Sequence, residues 1–114
     1  MRTVTIGVSS IDEVKQRTFA AARGKKQSSH ITFATEELLW KRLTPKRFQI
    51  LKAMTGAGEL GLREIARLVD RDMRGVHTDL KALAEARIIE QHENSKYEFP
   101  FDAIHVDFTV KKAA

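Results

Sequence analysis

The sequence predicts an α+β fold, because stretches with a strand period and stretches with a helix period follow one another along a short chain. Residues 3–8, TVTIGV, alternate apolar β-branched residues with small or polar ones, which is typical of a strand. Residues 45–86 instead place apolar residues three and four positions apart, which is typical of helices. The chain has 114 residues, enough for one domain or for a small domain with an extension.

The composition excludes several classes of protein. Lys and Arg outnumber Asp and Glu by 20 to 15, so the net charge of +5 modestly favours an anionic partner. The absence of cysteine excludes disulfides, zinc fingers and thiol chemistry. No apolar run is long enough to span a membrane, and the first ten residues lack the features of a signal peptide, so we expect a cytoplasmic protein.

Residues 1–43 are predicted to form a strand-helix-strand-helix extension. After the first strand, Ser10 and Glu13 have the spacing of a capping box, which predicts a helix over residues 11–22. A polar, basic loop follows at residues 23–29, and HITFA at residues 30–34 predicts the second strand. Thr35 is a suitable N-cap for a short helix that contains Trp40.

Residues 44–114 contain the remaining elements. Thr44-Pro45 predicts the start of a helix that ends near Thr55 with Gly56 as its stop. After it, the sequence predicts a short helix at residues 62–69, a tight turn at 70–72 and a long helix at 73–86. A hairpin follows, made of RIIEQH and KYEFPF around Glu93-Asn94-Ser95. The last predicted element is a half-buried strand, AIHVDFTV, at 103–110.

The order helix, helix, tight turn, helix, hairpin is that of a winged helix-turn-helix. The third helix of such a domain docks in the major groove of DNA. We therefore expect residues 44–114 to form a winged helix-turn-helix domain with a C-terminal strand.

The long helix separates an apolar side from a basic side. Projection at 100° per residue from Val76 places Met73, Leu80 and Leu83 within about 60° of it, as a core stripe. Arg71, Arg74, Thr78 and Lys81 fall at about 140° to 220°, nearly opposite, with His77 at the edge of that arc and Asp79 pointing elsewhere. The basic side is therefore expected to face solvent or a ligand.

The residue types on that side suit DNA. Arginine can bind a guanine edge with two donors, threonine can contact a base, and lysine neutralises phosphate. The residues predicted to bind DNA are Arg63, Arg71, Arg74, His77, Thr78 and Lys81. The candidate phosphate contacts are Lys46, Arg47 and Lys96.

Residues 30–108 resemble a family of small prokaryotic winged-helix proteins, broadly MarR-like in their helix-turn-helix, that act as DNA-binding regulators or antitoxins. The matching motifs are ITFATEELLWKRLTPKRFQILKAM, LREIARLVDRDMRGVHTDLKALAEARII and YEFPFDAIHVDF. The resemblance implies recognition positions at Arg71, Arg74, His77, Thr78 and Lys81. Gly61 stands where the family often has a serine cap, and Ala86-Arg87 replaces the usual Leu-Gly after the recognition helix.

No catalytic or metal site is predicted. His77, His92 and His105 each precede a polar residue by two positions, but they lie on different predicted elements with no fixed spacing. The segment GAGELG lacks the lysine of a phosphate-binding loop. We therefore expect a protein without enzymatic activity, cofactor or metal.

The leading hypothesis is a sequence-specific transcriptional regulator that binds a palindromic operator as a homodimer. The predicted strands outside the helix-turn-helix need partners, and residues 1–43 are expected to form the dimer interface, with strands pairing within or between chains. One alternative is an antitoxin that binds a partner toxin and represses its own promoter. Another is a winged domain that binds only protein.

Overall fold

The computed structural model describes residues 2–8 and 29–109, which form four helices and two small sheets in a mixed α/β arrangement. The predicted helix at residues 11–22 lies outside the described residues. The helices are α1 (Glu36–Arg42), α2 (Pro45–Met54), α3 (Leu62–Leu68) and α4 (Met73–Glu85). The strands are β1 (Thr3–Val8), β2 (Ser29–Phe33), β3 (Glu90–Gln91), β4 (Tyr97–Glu98) and β5 (Ala103–Asp107).

The larger sheet joins the two ends of the described chain. Its order is β2-β1-β5, and both pairings are parallel. Ile6 lies opposite Ile31 on one side and opposite Val106 on the other, so the apolar positions of the three strands share one face. These three predicted strands therefore pair within one chain, and the segments 1–43 and 44–114 share a sheet.

The smaller sheet is the predicted hairpin, β3 against β4, with Glu90 opposite Glu98 and Gln91 opposite Tyr97. Its strands are shorter than predicted, because Ile88 and Ile89 belong to the core rather than to the ladder. Leu60 adds an antiparallel bridge to Tyr97, with two backbone hydrogen bonds of 2.8 Å. The segment before α3 therefore lies along the outer side of β4.

Three predicted helix starts are confirmed by their side-chain caps. The Thr35 hydroxyl accepts from the backbone N–H of Leu38, and the Thr44 hydroxyl accepts from that of Arg47. Pro45 occupies the first turn of α2, where its missing N–H costs no hydrogen bond. The Asp72 carboxylate accepts from Gly75 at 3.0 Å, which fixes the start of α4.

The ends of α3 and α4 both have the Schellman hydrogen-bond pattern without glycine. At the end of α4, the N–H of Arg87 donates to Ala84 and that of Ile88 donates to Leu83. Arg87 therefore has a φ of 61°, in the left-handed region. Asp70, with a φ of 53°, occupies the same position after α3. These two turns set the paths into and out of α4.

One hydrophobic cluster joins the larger sheet to the helices. Its fully buried members include Val4 and Ile6 of β1, Ile50 and Leu51 of α2, and Leu80 of α4. Val76, Leu80 and Leu83 are at most 1% exposed, which confirms the predicted core stripe for these three residues.

Met73 departs from that predicted stripe. It is 44% exposed, because it is the first residue of α4 and extends past the core.

Among residues 2–8 and 29–109, no helix has the length and apolarity needed to cross a membrane.

Candidate nucleic-acid interface

Helix α4 presents an exposed polar face. Its apolar stripe is buried against α2 and α3, so the rotation of the helix about its axis is fixed. Arg74, His77, Thr78 and Lys81 are all exposed as a result, as the helical projection predicts. The Thr78 hydroxyl donates to the carbonyl of Arg74 at 3.1 Å, and the oxygen keeps lone pairs for another donor.

Arg71 is not on that face, and the projection is wrong for it. Helix α4 starts at Met73 with Asp72 as its N-cap, so the helical angle of 100° per residue does not apply to Arg71. Its guanidinium donates to Asp79 Oδ2 at 2.8 Å, and its side chain is only 19% exposed.

Asp79 is the centre of an ion triad with Arg47 and Arg71. Its Oδ1 accepts from Arg47 Nε at 3.0 Å, while Oδ2 accepts from Arg71. The three side chains are between 14% and 20% exposed, so water screens their attraction only partly. Arg47 also donates to the carbonyl of Arg42 at 3.2 Å. The triad therefore links α2, the turn before α4 and α4 itself.

Gly75 permits the close approach of Arg71 to α4. A Cβ at this position would lie 3.0 Å from Arg71 Nη2 and 3.1 Å from Asp72 Oδ1. A side chain here would therefore require Arg71 and Asp72 to shift by a few tenths of an ångström. The sequence shows only a glycine within a helix, and nothing local in the pattern indicates this contact.

The other predicted DNA-binding cations lie on different elements. Lys46 is exposed in the first turn of α2, and Arg63 is exposed in the first turn of α3. Lys96 is exposed at the hairpin tip, where its backbone N–H donates to Asn94 Oδ1 at 3.0 Å. Arg47 belongs to the ion triad instead, so its guanidinium is the least accessible of the candidate phosphate contacts.

A cluster of histidine and glutamate on the small sheet was missed by the sequence analysis. Glu90, His92 and Glu98 place one ligand-type atom each within 4.8 Å of the other two. His92 lies beside Glu59 and Glu98, so this cluster does not depend on convergence with His77 or His105. The signal is the pattern Glu90-x-His92, which becomes visible only with the hairpin register.

An apolar groove lies away from the exposed face of α4. Its lining includes Ile6 and Val106 of the larger sheet together with Leu39, Trp40 and Phe48. Trp40 is 56% exposed, and its ring meets that of Phe108 edge-on with centroids 5.9 Å apart. An exposed tryptophan beside an apolar groove is typical of an interaction surface.

Comparisons with known proteins identify a family for this chain. No curated protein matches the chain. A family model described as HVO_A0114 matches residues 42–106, from the end of α1 to β5, and these residues include α4 and the ion triad. Because the match covers more than half of the chain, this protein belongs to the HVO_A0114 family.

Proposed function

We propose that this protein is a cytoplasmic, sequence-specific DNA-binding transcriptional regulator that acts as a homodimer and has no enzymatic activity. The observation that supports the proposal is the exposed face of α4, where Arg74, Thr78 and Lys81 lie opposite a fully buried apolar stripe. In this proposal, α4 enters the major groove and these side chains contact bases and phosphates.

We infer that residues 44–114 form a winged helix-turn-helix. The order α2, α3, turn, α4, hairpin supports this assignment. The bridge from Leu60 to Tyr97 adds further support. It places the segment that precedes α3 beside β4, as a short third segment of the hairpin sheet. The left-handed Asp70 makes the turn between α3 and α4 compact.

The proposed contacts divide between base and phosphate. Arg74 and Thr78 are assigned to base edges, with His77 beside them, because arginine has paired donors and the hydroxyl both donates and accepts. Lys81, Arg63, Lys46 and Lys96 are assigned to phosphates, since exposed cations neutralise the backbone without regard to sequence. Arg71 is not assigned a contact, because its guanidinium is paired with Asp79 in the ion triad, and Arg47 is paired there as well.

The test is binding to the promoter region of the protein's own gene, compared with random DNA of equal length. Affinity should be higher for the promoter, and both affinities should fall steeply between 50 and 200 mM salt because bound counterions are released. Lys52→Ala is the control for substitutions on α4, as it removes one exposed positive charge that belongs to none of the proposed contacts, and it should leave the preference for the promoter unchanged. Equal affinity for promoter and random DNA would reject sequence-specific recognition.

The apolar groove beside Trp40 favours a second candidate, an antitoxin that binds a partner toxin and represses its own promoter. Its apolar lining suits a protein rather than a nucleic acid. The two proposals differ at Trp40. A regulator without a toxin uses this groove for its own dimer, whereas an antitoxin binds the product of an adjacent small gene there. Co-expression of that gene product with the protein separates the two.

A further inference from the structure

The small sheet aligns three glutamates on one row. Glu90 of β3 lies directly opposite Glu98 of β4. On the other side of β4, Leu60 pairs with Tyr97, so that Glu59 is adjacent to Glu98. Like charges at directly opposite positions of a sheet are destabilising. The row therefore concentrates negative charge that a cation would offset.

His92 joins this row from the residue after β3, two positions beyond Glu90. It directly follows β3, and its backbone N–H donates to the carbonyl of Lys96 at 2.8 Å, so the hairpin pairing continues through it and its side chain lies on the same side as that of Glu90. Its Nε2 is 3.0 Å from Glu98 Oε1 and 3.6 Å from Glu59 Oε1. Among the described residues, no lysine or arginine forms an ion pair with these glutamates.

These distances suit a tetrahedral zinc ion. With Zn–N and Zn–O bonds near 2.1 Å, neighbouring ligand atoms are about 3.4 Å apart. The distance of 3.0 Å between His92 Nε2 and Glu98 Oε1 is close to that value, and the ligand atoms of Glu90, His92 and Glu98 all lie within 4.8 Å of one another. Glu90 is exposed and the Glu98 side chain is 28% exposed, so both have room to rotate toward an ion.

We propose that Glu90, His92 and Glu98 form a binding site for a divalent transition-metal ion of the zinc class. The imidazole supplies the nitrogen ligand and the two carboxylates supply oxygen ligands, a set that favours zinc over calcium or magnesium. Water completes the coordination, since His92 and Glu98 are about one-third exposed. Glu59 lies close enough to add negative charge to the site.

Metal binding changes the protonation of this cluster. His92 Nε2 lies 3.0 Å from Glu98 Oε1, and a ring N–H at this nitrogen would donate to the carboxylate. For Nε2 to bind an ion, the ring proton must leave this nitrogen, either to Nδ1 of the same ring or to water. The ion also bridges β3 and β4, which joins the two strands of the hairpin more firmly.

The test is calorimetric titration of the full-length, tag-free chain with zinc chloride. One ion should bind per chain, and both His92→Ala and Glu98→Gln should weaken binding at least tenfold. His105→Ala removes an exposed histidine from β5 and should leave zinc binding unchanged. A chain that binds no zinc, or variants at His92 and Glu98 that bind it as tightly as the unmodified chain, would overturn the site.

A second measurement needs no substitution. In the unmodified protein, zinc should shift the ring-proton NMR signals of His92 and leave those of His77 and His105 in place. Binding at the site should also raise the Tm in proportion to the logarithm of the zinc concentration above the Kd. Zinc-induced shifts at His77 or His105 with none at His92 would place the ion elsewhere and refute the proposal.

Discussion

Asp79 organises the surface beside α4, although it is acidic and lies among residues proposed to bind an anion. The carboxylate accepts from both Arg47 and Arg71, so this part of the protein has one net positive charge rather than two free cations. The residues of α4 that remain available for the proposed DNA contacts are therefore Arg74, His77, Thr78 and Lys81. The two exposed cations among them are expected to act differently.

Arg74→Ala should weaken binding to the promoter by roughly 1–3 kcal/mol and relax the preference at one base position, because a two-donor base contact is lost. Lys81→Ala should weaken binding to all sequences alike and lower the slope of log affinity against log salt by about one unit. Binding assays on promoter variants at several salt concentrations distinguish the two. Identical effects of the two substitutions would contradict the assignment of base and phosphate roles.

Removal of the central carboxylate should destabilise the fold. Asp79→Ala leaves two mostly buried guanidinium groups without their acceptor, which should cost about 1–3 kcal/mol. Asp79→Asn retains one acceptor oxygen and should cost less. Urea unfolding monitored by circular dichroism measures both. If the alanine variant unfolds at the same urea concentration as the unmodified protein, the triad does not contribute to stability.

At the scale of single elements, α4 shows which features a sequence pattern determines. The 3.6-residue period places Val76, Leu80 and Leu83 in the core without knowledge of the elements that pack against them, because only one side of the helix is apolar. The same projection fails for two residues near the start of the helix. Met73 extends past the core and Arg71 precedes the N-cap, since a periodic rule does not specify where the helix begins.

Leu80→Ala tests the rotation of α4. Leu80 is fully buried, so the cavity left by truncation should cost about 2–5 kcal/mol of unfolding free energy. Met73→Ala on the same helix is the matched control, and because Met73 is 44% exposed it should cost about 0.5 kcal/mol or less. Thermal unfolding compares them. An unchanged Tm for Leu80→Ala would mean that the basic face is also wrongly placed.

The end of α4 should be improved by glycine. Arg87 has a φ of 61°, and a side chain in this conformation costs roughly 1 kcal/mol. Arg87→Gly should therefore raise the unfolding free energy by several tenths of a kcal/mol, after the greater freedom of glycine in the unfolded chain is subtracted. Arg87→Ala keeps the Cβ and should give no such gain. Equal stability of the two variants would show that the turn is unstrained.

At the scale of the whole molecule, local patterns and long-range pairing differ in how well they can be predicted. Helix starts at Thr35, Thr44 and Asp72 follow from short-range capping chemistry, and the structure confirms them. The parallel pairing of β1 with β5 joins residues about 100 positions apart, which no local pattern specifies. The ion triad likewise depends on a contact between α2 and α4.

The pairing of β1 with β5 changes how the proposed dimer must be tested. Strand β1 is the central strand of its sheet, and Val4 and Ile6 are fully buried. Deletion of residues 1–29 would remove this strand and expose the core, so the truncated chain would lose its fold as well as any interface. A single substitution on the surface is the sharper test of whether residues 1–43 form the dimer interface.

Trp40→Asp should convert a dimer to a monomer. Trp40 is 56% exposed beside an apolar groove, and a carboxylate there would be buried without a partner in a dimer. Leu68→Asp on α3 is the matched control, because Leu68 is 59% exposed and does not line the groove. Sedimentation at micromolar concentration should show a dimer for the unmodified protein and for Leu68→Asp. The Trp40 variant should also lose high-affinity binding to a palindrome, since linked half-sites raise the effective concentration. An unmodified protein that sediments as a monomer would contradict the dimer, and a dimeric Trp40 variant would place the interface on another surface.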